Sequence, residues 1–238
     1  MRAILFDLFE TLVSHFDPEW KPPLRTTAER LGVDQRFYDQ HWPGLSKQWH
    51  TGEISAYEPA LTTLCAAAGV RADPVVLAEL KRDYLRITSV AFVPPAREIV
   101  DLLSALEARG LRLAILSNTN DLDAAPWRQY DLARFFDTVV FSHEVGFMKP
   151  DPRIYALACE RLGVAPGDAL FVGDGGSDEL RGASEAGIRP VWGTWFLDRW
   201  PEGIRPNGFS GDHWRQRPSR HAPPFARIAR PAELLANV

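Results

Sequence analysis

The feature that most constrains the fold is an alternation of short apolar runs with helix-period segments, which begins near residue 92. The runs that predict strands are residues 111–117, 138–141, 168–174 and 189–193. The segments that predict helices are residues 96–109, 151–163 and 177–187. This alternation of strand and helix predicts an α/β fold built on a doubly wound parallel sheet.

A further strand is predicted at residues 3–6, where four apolar residues leave no polar side chain for a solvent-facing side. This strand delivers Asp7 to its C-terminal edge, where open parallel sheets bind their ligands. Residues 15–91 differ, because they contain helix-period stretches and no convincing strand. We therefore predict an α/β core over residues 1–14 and 92–238, and a small all-helical cap over residues 15–91 that could form a lid above Asp7.

Composition narrows the classes of partner. The 238 residues are 45% hydrophobic, enough for a sizeable core, and carry a net charge of -4 with acids and bases interspersed. That balance gives no electrostatic argument for a nucleic acid or an anionic membrane. No stretch reaches the ~20 apolar residues of a membrane span, and the N-terminus does not resemble a secretory signal. We expect buried reduced thiols at Cys65 and Cys159, a small-molecule partner and a cytoplasmic location.

Two regions are less informative. Residues 192–226 are rich in Pro, Arg and Gly around Trp192, Trp195, Trp200 and Trp214. They predict an irregular segment pinned by aromatic anchors, with a contribution to a substrate pocket or a subunit interface as the alternative. In the helical cap, packing or surface positions are expected for the candidate pocket residues Trp42, Lys47, Trp49 and His50. A short strand and a helix are predicted at the end, over residues 226–238.

Polar side chains follow the predicted strands at their C-terminal ends. They are Asp7, Ser117, Asn118, Lys149, Asp174, Asp178 and Glu179. In a parallel sheet these ends converge on one crevice. Asp7 and Asp174 would repel each other without a cation between them, and oxygen ligands without His or Cys favour Mg²⁺. Lys149 would keep Asp7 ionised and neutralise an anionic substrate, while Ser117 and Asn118 add hydrogen-bond donors.

This arrangement suits phosphoryl transfer, because a carboxylate beside Mg²⁺ and a lysine can attack phosphorus and form an aspartyl-phosphate. The segments FDLFETL, LSNTN, KPDPRIY and VGDGGSDELRGA also resemble, in order and spacing, the four motifs of the haloacid dehalogenase (HAD) superfamily of hydrolases. The resemblance implies a Rossmann-like core with a helical cap between the first two motifs. It also implies that Asp7 is the nucleophile, that Ser117 and Asn118 bind the transferring group, and that Lys149 steadies its negative charge.

The same resemblance implies a magnesium site. Asp174 would bind Mg²⁺ together with Asp7 and the backbone carbonyl of Phe9. Asp178 would support the metal, and Glu179 competes for that role because the last motif permits either spacing of its second acid.

The first motif departs from the family at Phe9. Phosphatases of the family usually place an acid there, which protonates the leaving oxygen and then activates water, and such help is worth about 10²–10⁴ in rate. Glu10 is the nearest alternative acid, although side chains one residue apart on extended backbone point in different directions. Family members that cleave carbon–halogen or carbon–phosphorus bonds also lack this acid.

Metal-dependent hydrolysis of a small phosphate monoester is the leading interpretation. Haloacid dehalogenases act without metal on an anionic substrate, which the acids Asp174 and Asp178 would repel. Phosphonate cleavage in the family relies on a cap lysine, for which the chain offers Lys21, Lys47 and Lys81. The intact pair of Asp7 and Lys149 argues against a noncatalytic binding protein. No pattern in the sequence indicates the physiological substrate or the oligomeric state.

Overall fold

The protein is described by a computed structural model that covers residues 1–15, 24–199 and 225–238. The strands of these residues are β1 (Ala3–Phe6), β2 (Arg112–Ser117), β3 (Thr138–Phe141), β4 (Ala169–Gly173), β5 (Arg189–Gly193) and β6 (Ala226–Ile228). They form one parallel sheet in the order β3-β2-β1-β4-β5-β6. The predicted α/β fold with a doubly wound parallel sheet is confirmed.

The α-helices of the described residues are α1 (Thr27–Leu31), α2 (Gln35–His50), α3 (Tyr57–Ala67), α4 (Pro74–Ser89), α5 (Arg97–Ala108), α6 (Asp121–Ala124), α7 (Ser142–Val145), α8 (Pro152–Leu162) and α9 (Glu179–Glu185). Successive side chains of a strand point to opposite faces of the sheet, and helices cover both faces. Ile4 and Phe6 of β1 pack with α5, and Ala3 and Leu5 pack with α8 and α9. These two apolar layers explain why β1 carries no polar residue.

The position of β1 in the sheet aligns the polar strand ends. In the parallel register, Phe6 lies opposite Ile115 of β2 on one side and Val172 of β4 on the other. The residues that follow β1, β2 and β4 therefore meet at one edge of the sheet, as open parallel sheets arrange their ligand-binding residues.

The helices α1 to α4 lie between β1 and β2 and build an apolar cluster of their own. We call the described residues 24–89 the four-helix segment. Its cluster includes Trp42, Trp49, Tyr57 and Leu64, all buried, and it also takes in Leu122 of α6. Helix α4 packs against α6, and α2 against α7, so the segment rests on elements that follow the C-terminal ends of β2 and β3. The division into a core and a cap domain stays a prediction.

Several predicted boundaries differ slightly from the structure. The helix predicted at residues 96–109 spans Arg97–Ala108. The short strand and helix predicted over residues 226–238 correspond to β6 and to a 3-10 helix of 6 residues, Pro231–Ala236. Trp195 acts as an aromatic anchor, because it is buried and its indole N–H donates to the carbonyl of Thr11 at 2.8 Å. Trp200 and Trp214 lie outside the described residues.

Within the described ranges, no helix combines the length and the apolar character that crossing a membrane requires.

Candidate active site

Three acids meet at the C-terminal edge of the sheet. Asp7 directly follows β1, Asp174 directly follows β4, and Glu179 begins α9. One carboxylate oxygen from each lies within 4.8 Å of the others, and all three residues are buried. The predicted convergence of Asp7 and Asp174 is thus present in the geometry, with Glu179 as the third member. We call these three residues the carboxylate cluster.

Lys149 places one positive charge against the carboxylate cluster. Its Nζ lies 2.5 Å from Oδ1 of Asp7 and also hydrogen-bonds to the carboxylate of Glu179. Burial opposes the ammonium, but the two carboxylates raise the pKa of Lys149 above its ordinary value. The side chain is therefore a permanent cation at the centre of the site.

One ammonium does not balance three buried carboxylates. Burial, reinforced by the negative charge of Asp7, raises the pKa of Asp174 to about 7. The same two causes hold the pKa of Glu179 well above its usual range. Hydrogen bonds to Asp174 from the Gly176 N–H at 2.9 Å and to Glu179 from the Gly175 N–H at 3.2 Å favour the anions but do not offset burial. The cluster lacks positive charge, which a divalent cation would supply.

Of the two polar residues at the end of β2, Asn118 contacts the main chain of Lys149 and Ser117 is buried at the strand end. The Asn118 side chain accepts from the Lys149 backbone N–H at 2.7 Å and donates to the Lys149 carbonyl at 3.0 Å. This two-point contact fixes the main chain from which the ammonium projects. Ser117 ends β2 and is buried. Their predicted contacts with the transferring group stay a prediction.

The side chains of the two adjacent acids of the last motif, Asp178 and Glu179, point to different surroundings. Asp178 has a left-handed backbone with φ 56° and its side chain pairs with Arg181, with the Arg181 Nε 2.8 Å from its carboxylate. Its carboxylate is half exposed and does not join the carboxylate cluster. Glu179 is buried instead, and Gly173 leaves the space for it, because a Cβ at Gly173 would overlap the Glu179 carboxylate. Of the two predicted alternatives, the geometry brings Glu179 to Asp7 and Asp174.

The residues after Asp7 form a compact turn. The Phe9 ring stacks on His15 with centroids 4.5 Å apart and meets Phe92 edge to face at 6.1 Å. Glu10 is fully buried with φ 56°, and its carboxylate accepts from the Ser14 hydroxyl at 2.8 Å and the His15 backbone N–H at 2.9 Å. These contacts engage the Glu10 carboxylate in holding the turn. The role of Glu10 as a replacement acid and that of the Phe9 carbonyl as a metal ligand stay predictions.

Two of the lysines considered for phosphonate chemistry lie in the four-helix segment. Lys47 is exposed on α2, and Lys81 on α4 pairs with Glu58 at 2.7 Å. Lys21 lies outside the described residues. The described geometry gives Lys47 and Lys81 no place in the carboxylate cluster.

Sequence reasoning missed a second polar cluster at the same edge of the sheet. It contains Asn120 and Asp123 after β2, together with His50, Tyr84 and Thr88 of the four-helix segment. The sequence signal was the pattern Asn120 to Asp123, a capping box at the start of α6. That pattern predicts a helix start but says nothing about partners far away in the chain.

Comparisons with known proteins agree on the class of fold. A family model for haloacid dehalogenase-like hydrolases matches residues 1–187. The structure is similar to a magnesium complex of a HAD family enzyme from Bacteroides thetaiotaomicron, with a TM-score of 0.59 and 19% identity over 91% of this chain and 98% of that enzyme. At this level of identity the likeness supports the fold alone.

Relatives with different activities appear at comparable identity. The phosphoserine phosphatase of Thermus thermophilus is 43% identical over 105 residues, which are 44% of this chain and 39% of that enzyme. The (S)-2-haloacid dehalogenase 4A of Burkholderia cepacia is 38% identical over 196 residues, which are 80% of this chain and 82% of that enzyme. The chain thus spans less than half the length of the first relative and most of the second.

Proposed function

The chain belongs to the family of haloacid dehalogenase-like hydrolases, and we propose that it hydrolyses a small phosphate monoester, with Mg²⁺ bound and Asp7 as the nucleophile. The observation that carries this proposal is the carboxylate cluster. Three buried carboxylates that face one ammonium leave a deficit of positive charge. A haloacid brings a further negative charge to such a site, whereas a divalent cation removes the deficit.

The donor set of the cluster fits magnesium. Asp7, Asp174 and Glu179 offer hard oxygen atoms, and neither His nor Cys belongs to the described cluster. Burial, and after it the charge of Asp7, raises the pKa values of Asp174 and Glu179, and a cation held between these groups would favour their anions. When bound, Mg²⁺ supplies Lewis-acid charge neutralisation at the phosphoryl group. The three carboxylates would hold it.

The remaining side chains have roles in the attack. In the proposed reaction a carboxylate oxygen of Asp7 forms a bond to phosphorus while the bond to the leaving oxygen breaks, which gives an aspartyl-phosphate. Water then attacks phosphorus and releases phosphate and Asp7. Lys149 stabilises the negative charge that develops on the phosphoryl oxygens, and the Ser117 hydroxyl donates to one of them. Asn118 keeps Lys149 in place through its two bonds to the Lys149 main chain.

Protonation of the leaving oxygen defines the substrate class. Phe9 has no proton to give, and Glu10 is engaged with Ser14 and His15. We therefore expect the enzyme to prefer esters whose leaving group is a weak base, since such a group departs without a general acid.

A series of aryl phosphates with Mg²⁺ or with EDTA tests the proposal. We expect phosphate release that requires Mg²⁺ and rises steeply as the leaving phenol becomes more acidic. A parallel incubation with 2-chloropropionate reports halide release. Chloride release in EDTA with no phosphate release at any Mg²⁺ concentration would disprove the phosphatase proposal.

Hydrolytic dehalogenation is the second candidate. It is favoured by the 38% identity to the dehalogenase across most of both chains, and by Phe9, because a halide leaves as an anion and needs no acid. Asp7 would then attack carbon rather than phosphorus. The same incubation with 2-chloropropionate distinguishes the two functions.

A further inference from the structure

The second polar cluster lies outside the carboxylate cluster and joins two parts of the fold. We call it the Asp123 cluster, with the members His50 of α2, Tyr84 and Thr88 of α4, and Asn120 and Asp123 at α6. Asp123 is only 2% exposed, so its carboxyl group has no access to bulk water. A buried carboxyl needs hydrogen-bond partners, and most of those of Asp123 come from distant segments of the chain.

The contacts of Asp123 cross from α6 to the four-helix segment. Its Oδ1 accepts from the Tyr84 hydroxyl at 3.0 Å and from the Thr88 hydroxyl at 3.4 Å. Its Oδ2 accepts from Asn120 Nδ2 at 2.7 Å and lies 3.7 Å from Nε2 of His50. Asn120 Nδ2 also donates to the Tyr84 hydroxyl at 2.8 Å. Helices α2 and α4 thus contact one carboxyl group.

Neighbouring contacts reinforce the same junction. The Trp49 indole N–H donates to the Asp121 carboxylate at 2.6 Å, and the Ser142 hydroxyl donates to the His50 carbonyl at 2.7 Å. Leu122 packs into the apolar cluster of the four-helix segment. Gly52 lies so close to the His143 carbonyl that a Cβ would overlap it. The junction is therefore closely packed on both sides of Asp123.

We propose that Asp123 is a positioning residue, which fixes the four-helix segment against α6 and thereby against the turn that carries Ser117 and Asn118. Asn120 caps the N-terminus of α6 and lies two residues after Asn118, so α6 has little freedom to move independently of that turn. This role does not depend on which bond the site cleaves.

The Asp123 carboxyl also makes the junction sensitive to pH. Burial raises the pKa of Asp123 to about 7, which means that the docked state holds a proton that the same group in water releases near pH 4. The titratable groups that face Asp123 are His50 from α2, Tyr84 from α4 and Asp121 from α6, and His143 of α7 lies beyond Thr119. Docking is strongest at low pH and weakens as pH rises from about 4 to about 7.

Hydrogen–deuterium exchange on the full chain tests the proposal. In Asp123→Asn and in the milder Tyr84→Phe, we expect amides of α2 and α4 to exchange about tenfold faster, the change for one lost buried hydrogen bond. Exchange in α5 and α8 should stay unchanged. Asp137→Asn is the matched control, because Asp137 also joins two elements, accepting from the Leu113 N–H at 2.9 Å and from Arg112 Nε at 3.2 Å, at the opposite end of the sheet.

A second measurement separates positioning from simple loss of stability. The exchange of α2 and α4 relative to α8 should increase between pH 4 and pH 7 in the unsubstituted protein, and this increase should be absent in Asp123→Asn. Unchanged exchange in both variants would overturn the proposal, as would an equal rise in α8. A pH dependence that persists in Asp123→Asn would overturn the assignment to this carboxyl group.

Discussion

The carboxylate cluster and the Asp123 cluster both bury acids beyond the C-terminal ends of the strands, yet they differ in how the charge is met. Asp7, Asp174 and Glu179 share one ammonium, so negative groups outnumber positive ones. Asp123 is the one acid among the five members of the Asp123 cluster, and it accepts hydrogen bonds from the neutral donors Tyr84, Thr88 and Asn120. A buried acid with enough donors holds structure together, and a group of acids without enough positive charge indicates a binding site for a cation.

The largest expected effect is on catalysis, which the comparison assigns to the carboxylate cluster and not to the Asp123 cluster. Asp7→Asn removes the proposed nucleophile and should lower the rate of aryl phosphate hydrolysis with Mg²⁺ by about 10⁴-fold or more. Asp151→Asn is the control, since Asp151 caps α8 on the surface and pairs with Arg153. Activity of Asp7→Asn equal to that of the control would contradict an aspartyl nucleophile.

The pH dependence of stability should differ between the clusters once Mg²⁺ is present. The pKa of Asp174 rises from 3.8 to about 7 on folding, so without a cation this group stabilises the folded protein below pH 4 and its contribution is lost as pH rises through about 7. Each pKa unit corresponds to ~1.4 kcal/mol. The Asp123→Asn variant is used because it removes the pH-dependent contribution of Asp123 to stability. Denaturant titrations of this variant at several pH values should show the loss due to Asp174 without Mg²⁺ and not with it. An identical pH profile in both conditions would contradict cation binding at Asp174.

Cation binding by the carboxylate cluster should also raise the thermal stability of the protein. At a concentration of Mg²⁺ about 100 times its dissociation constant, the gain is about 2.7 kcal/mol. Differential scanning fluorimetry should show a rise in Tm for the unsubstituted protein and for Asp178→Asn. Glu179→Gln should lose most of that rise. The reverse order of the two variants would identify Asp178 as the ligand in the bound state.

The smallest effect concerns the packing beside the Asp123 cluster. Gly52→Ala should lower the free energy of unfolding by ~1–3 kcal/mol, because Gly52 has φ 72° and an added Cβ would overlap the His143 carbonyl. Gly44→Ala is the matched control on α2, where a Cβ meets nothing within 4 Å. In that helical position alanine should stabilise by ~0.5–1 kcal/mol. Chemical denaturation measures the free energy of unfolding of both variants. Equal changes in the two variants would mean that the added Cβ at Gly52 causes no strain.

The strands were predictable because parallel strands that are buried on both faces require continuous apolar runs. The runs at residues 3–6 and 168–174 contain β1 and β4, in which every residue is buried, for this reason. The polar residues at the strand ends were predictable as a group, since the sheet brings all C-terminal ends to one edge.

The choice between Asp178 and Glu179 was not predictable, because adjacent acids differ only in the backbone that presents them. The left-handed φ values of 54° at Ser177 and 56° at Asp178 turn that backbone, and Asp178 pairs with Arg181. The Asp123 cluster was also out of reach. Its partner Tyr84 lies 39 residues away in sequence, and periodicity gives no information on such contacts.

The central position of β1 has a consequence for the order in which the chain is synthesised. β1 leaves the ribosome first, but β2 begins at Arg112 and β4 at Ala169, so its two neighbours emerge much later. Until β4 pairs with it, one edge of the apolar strand Ala3–Phe6 has unpaired backbone groups, which can recruit other chains. The nascent protein therefore carries an unpaired edge of β1 until β4 emerges, and it covers that edge in the same step that brings Asp174 beside Asp7.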